Sequence, residues 1–159
     1  MQFEGVHEKT IVLIKPDGVQ RGLVGEITRR LELKGLKIVG MKMMLLTPEL
    51  LKEHYAHIVD KPFYLGVEDF MRSNPVVALC LEGRNAVAAV RLVTGVTNAG
   101  SADGGTIRGD LAMGMSNVIH CTDTTLNAPG EVKRFFAEEE LFDYSKTEWL
   151  HIYLEEERS

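Results

Sequence analysis

Four strand-sized apolar segments, separated by stretches of helical spacing, constrain the fold of this 159-residue chain more than any other feature. The predicted strands are residues 10–14, 36–46, 75–81 and 118–122. Helical stretches follow the first and third strands, and two more lie between the second and third. This order predicts an α/β (α+β) fold of the ferredoxin-like βαββαβ type, in which helices cover a four-stranded, mostly antiparallel sheet.

The predicted helices begin and end at residues with suitable capping chemistry. Apolar side chains recur at helical spacing from Val24 until Gly35, a residue that suits a helix end. Thr47 is a suitable N-cap for the next helix, which we expect to run through Tyr55 and His57. The other predicted helices are residues 62–71, 85–92 and 131–136. Residues 15–18 predict a turn, and residues 94–105 predict a long loop of the kind that is often functional.

Composition and charge narrow the class of protein. The length predicts one domain over residues 1–159. The net charge of −5 argues against holding nucleic acid by bulk electrostatics, and no apolar run has the length of a membrane span. Two cysteines are too few for a disulfide framework, and residues 1–5 lack the basic start and apolar core of a signal peptide. We therefore expect a cytoplasmic protein with no membrane partner, and find no sequence evidence for a nucleic-acid partner.

Residues 117–123 place a histidine between an apolar strand and a polar turn. In an extended strand, His120 and Thr122 point to one face while Ile119 and Cys121 point to the other. Cys121 is therefore not suited to pair with His120 as a Cys-His dyad. A histidine held beside a hydroxyl is either a positioned nucleophile or a half-buried structural residue, and this segment alone leaves both interpretations open.

Any phosphate site in this chain must be built from scattered side chains, because neither a P-loop motif nor a G-x-G-x-x-G motif is present. Lys15, Arg91 and Arg108 stand near the ends of predicted elements and could offset the charge of a polyphosphate. Each of these cations is also compatible with an ordinary surface charge.

A series of motifs, in the same order along the chain, resembles the nucleoside diphosphate kinase family. They are Thr-Ile-Val-Leu-Ile-Lys-Pro-Asp-Gly from position 10, His-Tyr at 54–55, Lys-Pro-Phe at 61–63, Pro-Val-Val-Ala at 75–78, Gly-Thr-Ile-Arg-Gly-Asp at 105–110 and Asn-Val-Ile-His at 117–120. The resemblance covers about residues 9–153, and its first and last motifs are highly specific. It implies an enzyme that moves the γ-phosphoryl of a nucleoside triphosphate to a nucleoside diphosphate through a phosphohistidine.

The resemblance implies a catalytic set of five residues. His120 matches the phosphoryl carrier, which suits a neutral imidazole near pH 7 and predicts ping-pong kinetics. Glu131 matches the glutamate that orients the histidine ring, and Thr122 keeps the hydroxyl of the serine that the family generally has there. Lys15 would lie near enough to the phosphates to assist transfer, and Tyr55 would touch the transferring phosphoryl.

The resemblance also implies how the nucleotide binds. Arg91, Thr97 and Arg108 would bind the phosphates, Lys15 and Asn117 would contact the ribose, and Phe63 would stack on the base. Stacking reads few base-edge groups, so broad base tolerance is expected. For Tyr55 and Phe63 the alternative is core packing, and for Thr97 and Asn117 it is a loop or capping role.

A metal and further copies of the chain are implied as partners. Mg²⁺ would arrive with the nucleoside di- or triphosphate and bridge phosphate oxygens, rather than occupy a protein cage. Asp123 is the nearest acidic candidate to approach that ion through water, although a role in stabilising the turn is equally compatible. The family's assemblies imply a homo-oligomer, with a hexamer favoured over a tetramer.

The chain departs from the family pattern at a few positions. Cys121 stands where the family most often has glycine, which predicts a modest effect on the rate. Ala99 and Gly104 stand where prolines are usual. Each missing proline leaves the unfolded loop more entropy to lose, roughly 0.4–1 kcal/mol per site, so we predict a less heat-stable oligomer.

Two further interpretations would keep the fold without turnover. One is a regulatory homologue that binds nucleotides, and the other is a ligand-sensing module. The joint presence of the family's catalytic and binding residues favours the enzyme over both. His54-x-x-His57, beside Glu53, has helical spacing for metal ligation but lacks a third well-placed ligand, so the family resemblance explains His54 better.

Overall fold

A four-stranded sheet forms the centre of the computed structural model, which describes residues 7–158. Its strands are β1 (His7–Ile14), β2 (Lys37–Met44), β3 (Val76–Arg84) and β4 (Ile119–Cys121). Their spatial order is β2-β3-β1-β4, and every neighbouring pair is antiparallel. The predicted ferredoxin-like α+β fold is confirmed, with β1 and β3 longer than predicted and β2 and β4 shorter.

Eight α-helices surround the sheet in the described part of the chain. They are α1 (Pro16–Gln20), α2 (Val24–Leu33), α3 (Pro48–His54), α4 (Tyr64–Arg72), α5 (Ala86–Thr94), α6 (Ile107–Leu111), α7 (Ala128–Phe135) and α8 (Trp149–Ile152). The prediction of a turn over residues 15–18 is wrong, because α1 begins there. Helices as short as α1 and α6 cover little more than one turn, so apolar periodicity cannot reveal them. None of the helices within residues 7–158 is both long and apolar enough to cross a membrane. Residues 1–5, which lack signal-peptide features, lie outside the described residues.

Helix α3 begins as predicted but ends earlier. The Thr47 hydroxyl accepts a hydrogen bond from the Leu50 amide at 3.2 Å, which confirms the N-cap. The helix ends at His54, so the prediction that it runs through Tyr55 and His57 is wrong. Beyond His54 the backbone tightens into three-residue turns, with the Ile58 amide donating to the Tyr55 carbonyl at 2.9 Å. His54 and His57 therefore do not share one helix.

Alternate residues of each strand enter two apolar clusters on opposite faces of the sheet. Helices α2 and α5 pack on one face, which includes Val12, Ile14, Ile119 and Cys121. Helices α3, α4 and α7 pack on the other face, where Leu13 is the cross-strand partner of His120. The predicted alternation in β4 is thus confirmed. Cys121 is buried in the first cluster, and His120 faces α7.

The two loop positions where the family usually has proline, Ala99 and Gly104, have different surroundings. Ala99 is buried at the start of a 3₁₀ turn (Ala99–Ser101), and its amide donates to the Gly114 carbonyl at 3.3 Å, a bond that proline would remove. An added Cβ at Gly104 would meet nothing within 4 Å. Gly104 is therefore the position with room for proline, and the lower heat stability of the oligomer stays a prediction.

Candidate active site

A cavity of about 700 Å³ brings together most of the predicted site residues. Nine of the eleven line it: Lys15, Tyr55, Arg91, Thr97, Arg108, Asn117, His120, Asp123 and Glu131. They come from β4, α5, α6, α7 and the segments between elements, so residues far apart in sequence meet at one place. Thr122 lies behind Glu131, and Phe63 lies in an adjoining cavity.

The imidazole of His120 is held by a carboxylate from the first turn of α7. His120 Nε2 lies 3.2 Å from Glu131 Oε2, and the Thr122 hydroxyl donates to the same oxygen at 3.0 Å. Burial raises the pKa of Glu131, but the hydrogen bonds and positive charge that His120 offers, with help from Thr122, outweigh it and leave the pKa below its usual range. An ionised carboxylate only accepts hydrogen bonds, so His120 carries a proton on Nε2. In the neutral ring the lone pair is therefore on Nδ1.

A strained turn precedes the strand that carries His120. Val118 has φ +61°, a left-handed conformation that is costly for a β-branched residue, so the prediction that it is extended is wrong. The Asp17 carboxylate accepts from the Val118 amide at 3.1 Å, and the Val118 carbonyl accepts from the Lys15 amide at 2.9 Å. These bonds fix the turn, which sets Asn117 and His120 at defined positions beside Lys15.

Lys15 and Asn117 form a chain of hydrogen bonds along the cavity wall. Lys15 Nζ donates to Asn117 Oδ1 at 2.8 Å, and Asn117 Nδ2 donates to the Thr97 carbonyl at 2.7 Å. Burial, and then the positive charge of Arg108, lower the pKa of Lys15 to about 8. Lys15 is therefore protonated at neutral pH but loses its charge in mildly alkaline solution.

Arg108 is a buried cation fixed by backbone carbonyls. Its guanidinium donates to the Gly95 carbonyl at 3.1 Å and to the Ile119 carbonyl at 2.6 Å. The second bond ties α6 to the strand that holds His120. Together with Lys15 and Arg91, Arg108 gives the cavity a concentration of positive charge suited to a polyphosphate.

The two aromatic candidates occupy different positions. Burial, followed by the nearby charge of Glu131, raises the pKa of Tyr55 to about 12, so its hydroxyl keeps its proton and can donate. Phe63 is 58% exposed and lines a cavity of about 590 Å³ that shares Lys15, Tyr55 and Asn117 with the first. An exposed aromatic ring beside a charged cavity offers a flat surface on which a base can stack.

Sequence reasoning gave no site role to two residues in the wall behind His120. The ring of His54 is buried and lies edge-on to the His120 ring, with centroids 4.5 Å apart. Arg134 donates from Nη1 to His54 Nδ1 at 3.2 Å, and its Nε lies 3.3 Å from a Glu53 carboxylate oxygen. Arg134 could have been found from its spacing, because it follows Glu131 by three residues on α7 and so shares its face.

Asp123 places a carboxylate at the cavity wall just after β4. Its Oδ1 accepts from Asn127 Nδ2 at 2.8 Å, and this bond lowers the pKa of Asp123. The carboxylate is therefore ionised at neutral pH. Oxygen donors of this kind are what Mg²⁺ prefers, whereas the imidazoles of His54 and His120 are not.

Comparisons with known proteins match nearly the whole chain to nucleoside diphosphate kinases. A protein-family model described as nucleoside diphosphate kinase matches residues 8–141. The nucleoside diphosphate kinase of Parabacteroides distasonis is 48% identical over 151 residues, 94% of this chain and 99% of that protein. Human nucleoside diphosphate kinase A is 46% identical over 147 residues, 92% of this chain and 97% of that protein.

Solved structures show the same likeness. A halophilic nucleoside diphosphate kinase from Halobacterium salinarum in complex with CDP superposes with a TM-score of 0.90 at 44% identity, covering 94% of this chain and 100% of that one. A transition-state mimic of the Borrelia burgdorferi nucleoside-diphosphate kinase, with bound vanadate and ADP, gives 0.85 at 31% identity, covering 91% and 96%.

Proposed function

The chain belongs to the nucleoside diphosphate kinase family, and we propose that His120 carries the phosphoryl group in its reaction. The enzyme transfers the γ-phosphoryl of a nucleoside triphosphate to a nucleoside diphosphate. The observation that carries the proposal is the bond from His120 Nε2 to Glu131, which leaves the Nδ1 lone pair as the nucleophile in a cationic cavity. We propose that residues 1–159 form one such domain.

The first half-reaction forms a bond between His120 Nδ1 and the γ-phosphorus and breaks the bond to the bridging oxygen of the departing diphosphate. The imidazole gains positive charge as it attacks, and the Glu131 carboxylate offsets that charge at Nε2. Lys15, Arg91 and Arg108 offset the charge on the phosphate oxygens, and the Tyr55 hydroxyl donates to the transferring group. The second half-reaction reverses these steps onto a different nucleoside diphosphate.

The nucleoside is placed by the neighbouring cavity. Phe63 stacks on the base, Lys15 and Asn117 contact the ribose hydroxyls, and Thr97 helps to bind the phosphates. Stacking is tolerant of base identity, which supports broad use of nucleotides.

Mg²⁺ fits the oxygen donors at the cavity wall. The ionised Asp123 carboxylate is the side chain that would approach an ion arriving with the nucleotide, through water. When bound, the ion neutralises phosphate charge. No protein cage of oxygen ligands is needed for this role.

Labelling tests the phosphohistidine. Incubating the protein with a γ-³²P-labelled nucleoside triphosphate should leave label on the protein that is acid-labile and alkali-stable, and a different nucleoside diphosphate should remove it. A coupled exchange assay with two nucleotides would measure the same cycle at steady state. A protein that binds nucleotide but never acquires label would instead be the regulatory homologue.

We propose that the protein is a homo-oligomer, with a hexamer favoured over a tetramer. Strand β2 lies at the edge of the sheet, and its outward side chains are unusually apolar. Met41 is 53% exposed and Met43 62%, and Leu45, directly after the strand, is 66% exposed. No further strand of the described residues pairs with β2, and the Phe142 amide occupies only the Val39 carbonyl, so an apolar row beside the rest of this edge favours pairing with a second copy.

Replacing Met43 with lysine should lower the oligomer mass, because two like charges would meet across a symmetric β2 contact. Sedimentation velocity measures the mass directly. Leu126→Lys is the matched control, since Leu126 is 89% exposed and follows β4, at the opposite edge of the sheet. Unchanged mass for M43K would show that β2 is not the interface.

A cytoplasmic location is also proposed. Cys80 and Cys121 are both unpaired and buried, which suits a compartment that keeps thiols reduced. Nucleoside phosphates, the enzyme's substrates, support the same location.

A further inference from the structure

Three metal-ligating side chains from different elements converge behind the nucleophile. His54 ends α3, His120 lies in the middle of β4, and Glu131 lies in the first turn of α7. One ligand atom from each lies within 4.8 Å of the other two. Among residues 7–158, this is the one group of three such side chains with metal-binding spacing.

The donor set differs from what Mg²⁺ requires. Two imidazole nitrogens and one carboxylate oxygen are a set that Zn²⁺ takes readily, with a fourth position open for water. Two ligand atoms bonded to a tetrahedral zinc at about 2.0–2.1 Å lie about 3.3 Å apart. The 3.2 Å between His120 Nε2 and Glu131 Oε2 already matches this separation. Only the His54 ligand atom must move inward.

His54 has no role in the phosphoryl transfer derived above, yet it is held at the site. It is 7% exposed, and its Nε2 is buried without a hydrogen-bond partner. Because His54 Nδ1 accepts a hydrogen bond from Arg134, this nitrogen carries no proton and the ring is neutral. A neutral imidazole is the form that ligates a metal.

We propose that His54, His120 and Glu131 bind Zn²⁺, and that the bound ion inhibits phosphoryl transfer. Inhibition follows because zinc on Nε2 displaces the proton from that nitrogen, so the neutral ring carries its proton on Nδ1 and loses the lone pair that would attack the γ-phosphorus. All three side chains line the cavity, so the ion can enter by the route that the nucleotide uses. The inhibitory part rests on the proposed function, whereas the binding part does not.

Arg134 weakens the affinity of this site for zinc. It donates to His54 Nδ1 at 3.2 Å, and zinc binding breaks this bond in either of two ways. Zinc on Nδ1 takes the lone pair that accepts the bond, and zinc on Nε2 moves the ring proton to Nδ1, which can then no longer accept. The Glu53 carboxylate, 3.3 Å from Arg134 Nε, can hold the guanidinium once it turns away. Removing this nearby positive charge should therefore tighten zinc binding.

Zinc titration of the full chain, without nucleotide or Mg²⁺, tests the site by calorimetry and equilibrium dialysis. We expect one Zn²⁺ per chain. His54→Gln should weaken binding by about tenfold or more, since even partners outside the metal's own ligands can contribute that much. Arg134→Leu should tighten it by about tenfold or more. His151→Gln, at an exposed histidine on α8, should bind as the wild type does.

Thermal melting and nucleoside diphosphate binding check that each variant is folded. If His54→Gln fails to fold, Glu131→Gln, which keeps the side-chain shape but removes its charge, should show the same loss of zinc binding. A wild-type chain that takes up no stoichiometric Zn²⁺, or a folded His54→Gln that binds it as the wild type does, would overturn the site.

Binding and turnover separate this inference from the proposed function. Stoichiometric zinc on a protein that never forms phosphohistidine would uphold the site and reject the function. An active enzyme that binds no zinc would do the reverse. Zinc bound at these residues should slow single-turnover labelling of His120, with recovery on adding a chelator. Unchanged labelling with the site filled would refute the inhibition.

Discussion

Replacing His120 with asparagine should lower kcat by at least about 10⁴-fold, because the change removes the atom that accepts the phosphoryl group. Asparagine is close to histidine in polarity and shorter, so it leaves the carboxylate of Glu131 a polar neighbour without supplying a nucleophile. The coupled assay with two nucleotides measures the loss. The same variant should acquire no acid-labile label from a γ-labelled triphosphate.

The control for this variant is a histidine that lies outside the cavity. His151→Asn changes the same residue type in the same way on α8 and should leave kcat unchanged. Binding of a nucleoside diphosphate by His120→Asn checks that the cavity is intact. Acid-labile label on folded His120→Asn would remove His120 from the role of phosphoryl carrier.

The sheet was predictable because its strands carry strong local signals. Residues 10–14 and 75–81 are continuous apolar runs with turn signals nearby, and both strands are buried on two faces, as such runs imply. The strand ends were less predictable. Strand β1 extends back to His7 because its polar residues pair with β3, and a pairing partner is not visible in the local sequence.

Some features of the site were likewise predictable from the sequence, and others were not. His120, Glu131 and Lys15 were predictable from motifs that resemble a known family, and the alternation of β4 placed Thr122 on the His120 face. The left-handed backbone at Val118 was not predictable, because Val-Ile favours extended structure. The turn is stabilised by the hydrogen bonds that Val118 makes with Asp17 and Lys15, which the local sequence does not reveal.

The contact between His54 and Arg134 is a second feature that the sequence could not predict. Their contact joins the end of α3 to the last turn of α7, 80 residues apart in sequence. Helical spacing alone paired His54 with His57, but α3 ends before that spacing is completed. The structure instead pairs His54 with His120 through the packing of α3 and α7 on one face of the sheet.

Lys15 should impose an alkaline limit on nucleotide use. Its pKa of about 8 in the free enzyme means that the cation is lost as the pH rises through 8. We therefore expect kcat/KM for the nucleoside triphosphate to fall by about tenfold per pH unit above that point. Bound phosphates favour the charged amine, so the corresponding fall in kcat should occur at higher pH. Tyr55, with a pKa of about 12, does not titrate in this window.

Lys15→Arg separates this titration from general alkaline damage. Arginine keeps its charge to far higher pH, so the variant should lose the alkaline fall in kcat/KM between pH 8 and about 10, even if its geometry lowers the value throughout. Lys9→Arg, at a lysine on β1 whose side chain is 46% exposed, should keep the wild-type profile. An alkaline fall that persists unchanged in Lys15→Arg would assign it to another group. Lys15 Nζ is held by its bond to Asn117 Oδ1 at 2.8 Å, and burial at this position is what brings its pKa into the range where the charge is lost.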